Sequence, residues 1–365
     1  MKKNYLLLPL IFLASCGRVQ QAPAPPVRLV SDIISDSRLP EHGLVSGFNA
    51  DDAEKSIYVV GAPDRCEYLR RELVSCDYFD NVDGRMVSDG LPDFAGEVVC
   101  TVLDYANAPY QQFLDGDRED RLREVAVRSV IAAMDTVCFI SEYDQNGVAS
   151  KPLPKLLVLE SPFASGFGMY DVDSLFSALR CNLPVINPLR AMMDKVFDGR
   201  KSNAMVGVIT GREYLSTGGY TSYLQEKARS RGLLSSDCVV LPASPDAGDP
   251  LIAFLEGYLA AGYSRPLDAI LVDDFTVDVQ KMRDALVRIT DINNGESLSY
   301  GKLIAPGCVI LDAALTVSSE CYRYLRKRNL FTHDIAYPRS LAFRTVAMTD
   351  STFVLTQYSD RRILR

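Results

Sequence analysis

The sequence predicts an α/β fold of parallel sheets flanked by helices, and three observations carry that expectation. Short apolar runs bounded by turn residues recur, as in residues 156–165 (LLVLESPFAS) and 268–276 (DAILVDDFT), the pattern of a parallel strand buried on both faces. Helix-like segments alternate with these runs from residue 56 onward, which argues for strand–helix–strand units. A chain of 365 residues, 47% apolar and 24% charged, is long enough for two domains with separate cores.

Taken in order, residues 57–63 (IYVVGAP) read as a strand and turn, 65–74 as a helix and 98–103 as the next strand. Residues 118–134 place Leu122, Val125, Ala126, Ser129, Val130 and Ala133 at helical spacing, with Asp117 available as a cap. After the strand at 156–165 come a helix at 173–179, a short strand at 184–188 (PVINP) that marks a domain crossover, and a helix at 189–197. Strands at 204–210, 238–242 and 269–273 are separated by helix-like 219–229 and 250–261. Residues 292–301 read as a polar loop, followed by GCVILDAA, a helix at 317–327 and an end piece at 342–354. In an open α/β sheet the ligand lies beyond the carboxyl ends of the strands, so Ser161 and Asp274 mark the expected site.

Composition excludes some functions. A net charge of -8 offers no basic footprint for nucleic acid. The only histidines are His42 and His333, and no CxxC occurs, so no metal centre is expected. The glycine pairs Gly166/Gly168 and Gly218/Gly219 lack phosphate-loop spacing. Arg323, Arg326, Lys327 and Arg328 read as a solvated helix face.

The N-terminus has the shape of an export signal: Lys2 and Lys3, an apolar run over 5–13, then Leu13-Ala14-Ser15-Cys16-Gly17. This ending resembles a bacterial lipobox. The resemblance implies a signal peptide over 1–15 and a lipid on Cys16 that anchors the protein in a membrane; an ordinary signal peptide and a chance apolar start are the alternatives. Gly17, not an acidic residue, implies the outer membrane, on its periplasmic or surface face. Residues 16–55 are read as a Pro-rich tether (QQAPAPP) and N-terminal extension. Eight further cysteines remain, and those in apolar runs are expected to be buried thiols, with Cys66 and Cys76 the one pair proposed as a disulfide.

Seven segments then follow one another in a familiar order: VLDYANAPY (102–110), LLVLESPFAS (156–165), LPVINP (183–188), VGVITGREYLSTGGY (206–220), ILVDDFT (270–276), VILDAALTV (309–317) and FRTVAMTD (343–350). Together they resemble the aspartate/glutamate racemase superfamily, most closely glutamate racemase. The resemblance implies two racemase-like lobes with a cleft between them, over 56–186 plus 300–365 and over 187–299, and no cofactor.

The departures from the family fall at its chemistry. Its two proton-shuttling cysteines correspond to Ser161 and Asp274, and serine is no base without an activating neighbour. The family's ligand-holding positions correspond to Gly61, Ala62, Tyr110, Gln111, Phe163, Phe275 and Thr276. Asp273 and Asp274 would repel a glutamate dianion; they are read as caps of a following helix, with Glu160, Ser161, Asp273 and Asp274 as an alternative carboxylate constellation in which Glu160 points away from Ser161. The expectation is an envelope lipoprotein with a degenerate, non-catalytic racemase-like module. It would bind a small amino-acid-like or cell-wall-derived ligand, an envelope protein partner or a second copy of itself. The contrasting expectation is a cofactor-independent amino-acid racemase or isomerase using Asp274 as its base.

Overall fold

The computed structural model describes residues 25–49, 56–114, 119–141, 144–160, 168–244, 246–291, 295–332, 336–346 and 356–359. Its elements are α1 (Arg28–Ser35), α2 (Pro40–Ser46), β1 (Ser56–Gly61), α3 (Pro63–Ser75), β2 (Val98–Asp104), α4 (Gln111–Leu114), α5 (Glu119–Met134), β3 (Val137–Ser141), β4 (Asp144–Ser150), β5 (Pro154–Glu160), α6 (Met169–Leu179) and β6 (Val185–Ile186). They continue with α7 (Pro188–Phe197), β7 (Met205–Thr210), α8 (Gly219–Ser230), β8 (Asp237–Pro242), α9 (Pro250–Ala260), β9 (Leu267–Asp273), α10 (Val279–Thr290), α11 (Gly295–Tyr300), β10 (Ile304–Asp312), α12 (Ala313–Arg328), β11 (Arg339–Val346) and β12 (Thr356–Ser359).

The apolar runs become two sheets. The larger has the order β4-β3-β12-β11-β2-β1-β5-β6 and the smaller β10-β9-β7-β8. All ladders of the smaller sheet are parallel, as is the stretch from β11 to β6 in the larger. At its other edge the larger sheet is mixed, with β12 antiparallel to β11 and β4 antiparallel to β3. Every residue of β1, β5 and β7 is buried, which requires helical cover on both faces. The α/β class is therefore the one the sequence predicts.

One core joins the larger sheet to α1, α2, α5 and α6, and the opposite face packs on α3 and α12. The smaller sheet has its own two cores; one reaches across to Tyr110, Phe113, Leu122 and Val125, so apolar packing is continuous across the seam between the lobes. Several helices start where local chemistry dictates. Asn187, Asp249, Asp278 and Asp312 each accept backbone N–H groups at the starts of α7, α9, α10 and α12, and proline follows the first two caps.

Several expectations change. Residues 304–312 pair with β9 in the smaller sheet, although the sequence groups them with the first lobe. The extension before residue 56 contains α1 and α2, whose Leu29, Val30, Ile33 and Val45 enter the core. The loop expected over 292–301 contains α11, and α12 begins at Ala313, four residues early, because Asp312 caps it. Cys66 and Cys76 are both free. They stand ten residues apart at the two ends of α3, about 15 Å along a helix, beyond disulfide reach. Cys16, Asp117, Ser161, Phe163 and His333 lie outside the described residues.

Candidate functional site

The carboxyl ends of β5 and β9 carry Glu160 and Asp273, and the side chain that joins them is Arg65, in the first turn of α3. Its Nε donates to Glu160 Oε1. Its Nη2 donates to Asp273 Oδ1 at 2.5 Å, and its Nη1 to the Asp273 carbonyl at 3.2 Å. Side-chain exposure is 11% for Arg65, 0% for Glu160 and 1% for Asp273. One guanidinium thus ties the larger sheet to the smaller one in a nearly dry setting.

Aromatic rings enclose this triad. The Phe275 ring lies 4.5 Å and the Tyr214 ring 5.3 Å from the Arg65 guanidinium carbon, a geometry that offsets part of a cation's desolvation. Phe275 also stacks on Tyr68 of α3, with centroids 4.1 Å apart and planes 7° from parallel. The Tyr220 hydroxyl donates to Asp273 Oδ2 at 2.6 Å and stands 2.8 Å from the Thr210 hydroxyl. With its proton committed to the carboxylate, Tyr220 accepts from Thr210.

Asp273 therefore has partners on both oxygens, whereas Glu160 Oε2 is buried without one among the described residues. Burial pushes the Glu160 carboxyl up to about 7, with Arg65 opposing and Asp273 adding to the rise. A guanidinium does not release its proton in this range, so the proton that can move near neutrality here is that of Glu160. Beside the triad, Asp104 ends β2 and accepts from the side chains of Asn107, Tyr110 and Thr345, each at about 3.0 Å. Burial raises its pKa as well, despite these bonds.

The residues expected from the sequence divide between these roles. Gly61 is buried beside β5 with φ +152°, and a Cβ there would collide with the Glu160 carbonyl; its lack of a side chain serves strand packing. Ala62 caps α3. Tyr110 is buried and donates its hydroxyl to Asp104, and Gln111 begins α4. Asp274 accepts from the backbone and hydroxyl of Thr276 in a local turn. Neither Asp273 nor Asp274 caps the following helix, since Asp278 does so. Phe275 covers Arg65.

Sequence reasoning missed Arg65, Tyr214 and Tyr220, and set Glu160 aside. One signal for Arg65 was present. A cation in the first turn of a helix opposes the macrodipole, and Arg65 takes its carboxylates from β5 and β9 although Asp64 and Glu67 stand on its own helix. Among the described residues no three His, Cys, Asp or Glu side chains converge to hold a metal, and no helix is long and apolar enough to cross a membrane.

No protein-family model matches the chain, and no curated protein matches it. Solved structures similar to it include glutamate racemase from Francisella tularensis in complex with D-glutamate, at 13% identity and TM-score 0.46 over 81% of this chain and 90% of that one. A glutamate racemase isoform from Bacillus anthracis has 13% identity and TM-score 0.45 over the same shares. An aspartate racemase homologue from Pyrococcus horikoshii has 11% identity and TM-score 0.33, over 75% of this chain and 99% of that one.

Proposed function

We propose that this chain is an envelope lipoprotein, anchored through Cys16, whose racemase-like module binds a ligand or partner without performing proton transfer. The observation that carries this reading is the Arg65–Glu160–Asp273 triad. It fills the space between the two strand ends where a ligand of an α/β pair would sit, and Phe275 and Tyr68 close over it. Asp274, the base of the catalytic alternative, is engaged in a turn with Thr276.

The test is α-proton exchange in deuterated buffer across a panel of D- and L-amino acids, with Asp274→Asn as control. No exchange above buffer is expected; exchange lost in that variant overturns the reading. A second reading, an isomerase with altered acid/base residues, is favoured by one observation, the Glu160 carboxyl held up to about 7 with one oxygen unpartnered. It requires exchange that Glu160→Gln abolishes. The anchor is tested separately: fatty-acid label should enter the wild type and be lost in Cys16→Ser.

A further inference from the structure

We infer that the groove at the seam of the two lobes is a binding site for a small molecule with two or more anionic groups, carboxylate or phosphate. It has a volume of about 660 Å³ and lies where β6, α7, α8 and α12 meet, within the size range of small-molecule sites. The whole chain carries -8, yet the lining of this groove has five Lys/Arg side chains against three Asp/Glu.

Lys227 is matched, its Nζ standing 2.6 Å from Asp194 Oδ1, but the other cations there are short of carboxylates. Lys195 Nζ and Arg323 Nη1 share one oxygen of Glu320, at 3.8 and 3.1 Å, and burial lowers the Lys195 pKa against the pull of that carboxylate. Arg231 donates to the Phe197 carbonyl rather than to an acid. Arg190 pairs with Asp173 through Nη2 at 2.7 Å, but its buried Nε has no partner among the described residues. The first turn of the ten-residue α7 lines the same groove, and the positive end of its dipole favours negative charge. An anion entering here would take the unshared valence of Lys195 and Arg323 together, in a partly desolvated setting where such bonds are stronger than in bulk water. This assignment extends the binding reading to a named surface, and its test passes through neither proton transfer nor the lipid.

The experiment is calorimetric titration of the full-length protein in non-ionic detergent at constant ionic strength, with citrate and pyrophosphate as probes and chloride as the reference. One-site binding by at least one probe is expected, with the stronger of the two identifying carboxylate or phosphate as the preferred group. Arg323→Gln should weaken it by about tenfold and Glu320→Gln, which frees both cations, should tighten it. Arg28→Gln, an exposed cation on α1, should change nothing. Absence of binding by both probes at about 10 mM, or affinities that Arg323→Gln and Glu320→Gln leave unmoved, would overturn the assignment.

Discussion

Replacing Arg65 by methionine keeps the stem and removes the charge that holds Glu160 and Asp273 together. Deleting one partner of a buried ion pair costs about 3–5 kcal/mol, because the other charge stays buried without compensation. Here the cost depends on pH. The Glu160 carboxyl is held up to about 7 from an ordinary 4.5, so the folded state binds its proton more tightly than the unfolded state does. Stability from this group is full below pH 4.5 and is lost as pH rises through 7, a swing of about 3 kcal/mol. Arg65 works against that rise, and without it the ionised carboxylate is costlier still. Arg65→Met should therefore lose about 3–5 kcal/mol at pH 8 and clearly less at pH 5, where Glu160 is protonated in both proteins. Urea unfolding at the two pH values, followed by far-UV circular dichroism because the chain has no tryptophan, measures the difference. Equal losses at both pH values, or a loss below about 1 kcal/mol at pH 8, would refute the triad as the tie between the lobes.

Other consequences follow from the same geometry. Gly61→Ala should destabilise by about 2–3 kcal/mol, since its Cβ meets the Glu160 carbonyl; a shifted urea midpoint with unchanged slope is the expected result. Phe275→Ala removes the ring stacked on Tyr68 and covering Arg65, with an expected loss of about 2–4 kcal/mol that Phe275→Tyr largely restores. Asp278→Ala should cost about 1 kcal/mol as the loss of a cap, whereas Asp273→Asn, which strips Arg65 of a buried partner, should cost severalfold more in the same assay. A thiol reagent applied to the native protein should label Cys181 and Cys308 before the six buried cysteines at 66, 76, 100, 138, 238 and 321, with all eight reacting in denaturant.

The parallel strands β1, β2, β5, β7, β8, β9 and β10 were legible because each is a short apolar run between turn residues, and burial on both faces leaves such a run few other uses. The helices expected over 189–197 and 250–261 form at 188–197 and 250–260, and the structure adds what starts them, the capping Asn187 and Asp249, each followed by a proline. Helix α1 was harder to see because its neighbours suggest a tether; its apolar residues acquire meaning only against α5 and α6. The hairpin of β3 and β4 is local, but β4 (DQNGVAS) is polar and lacks a strand's apolar run, and the return of β12 beside it depends on a pairing between residues 139 and 358, far apart in the chain.

At the site the division is sharper. The sequence by itself determined that the strand ends near residues 160 and 273 would matter and that acids would stand there, since strand periodicity and the carboxyl-end rule are local properties. Only the tertiary structure decided which acids turn inward and what they meet, because Arg65 lies 95 positions before Glu160 and 208 before Asp273. Charge pairing in a dry interior is set by distance in space and by the absence of water, and neither quantity is written along the chain.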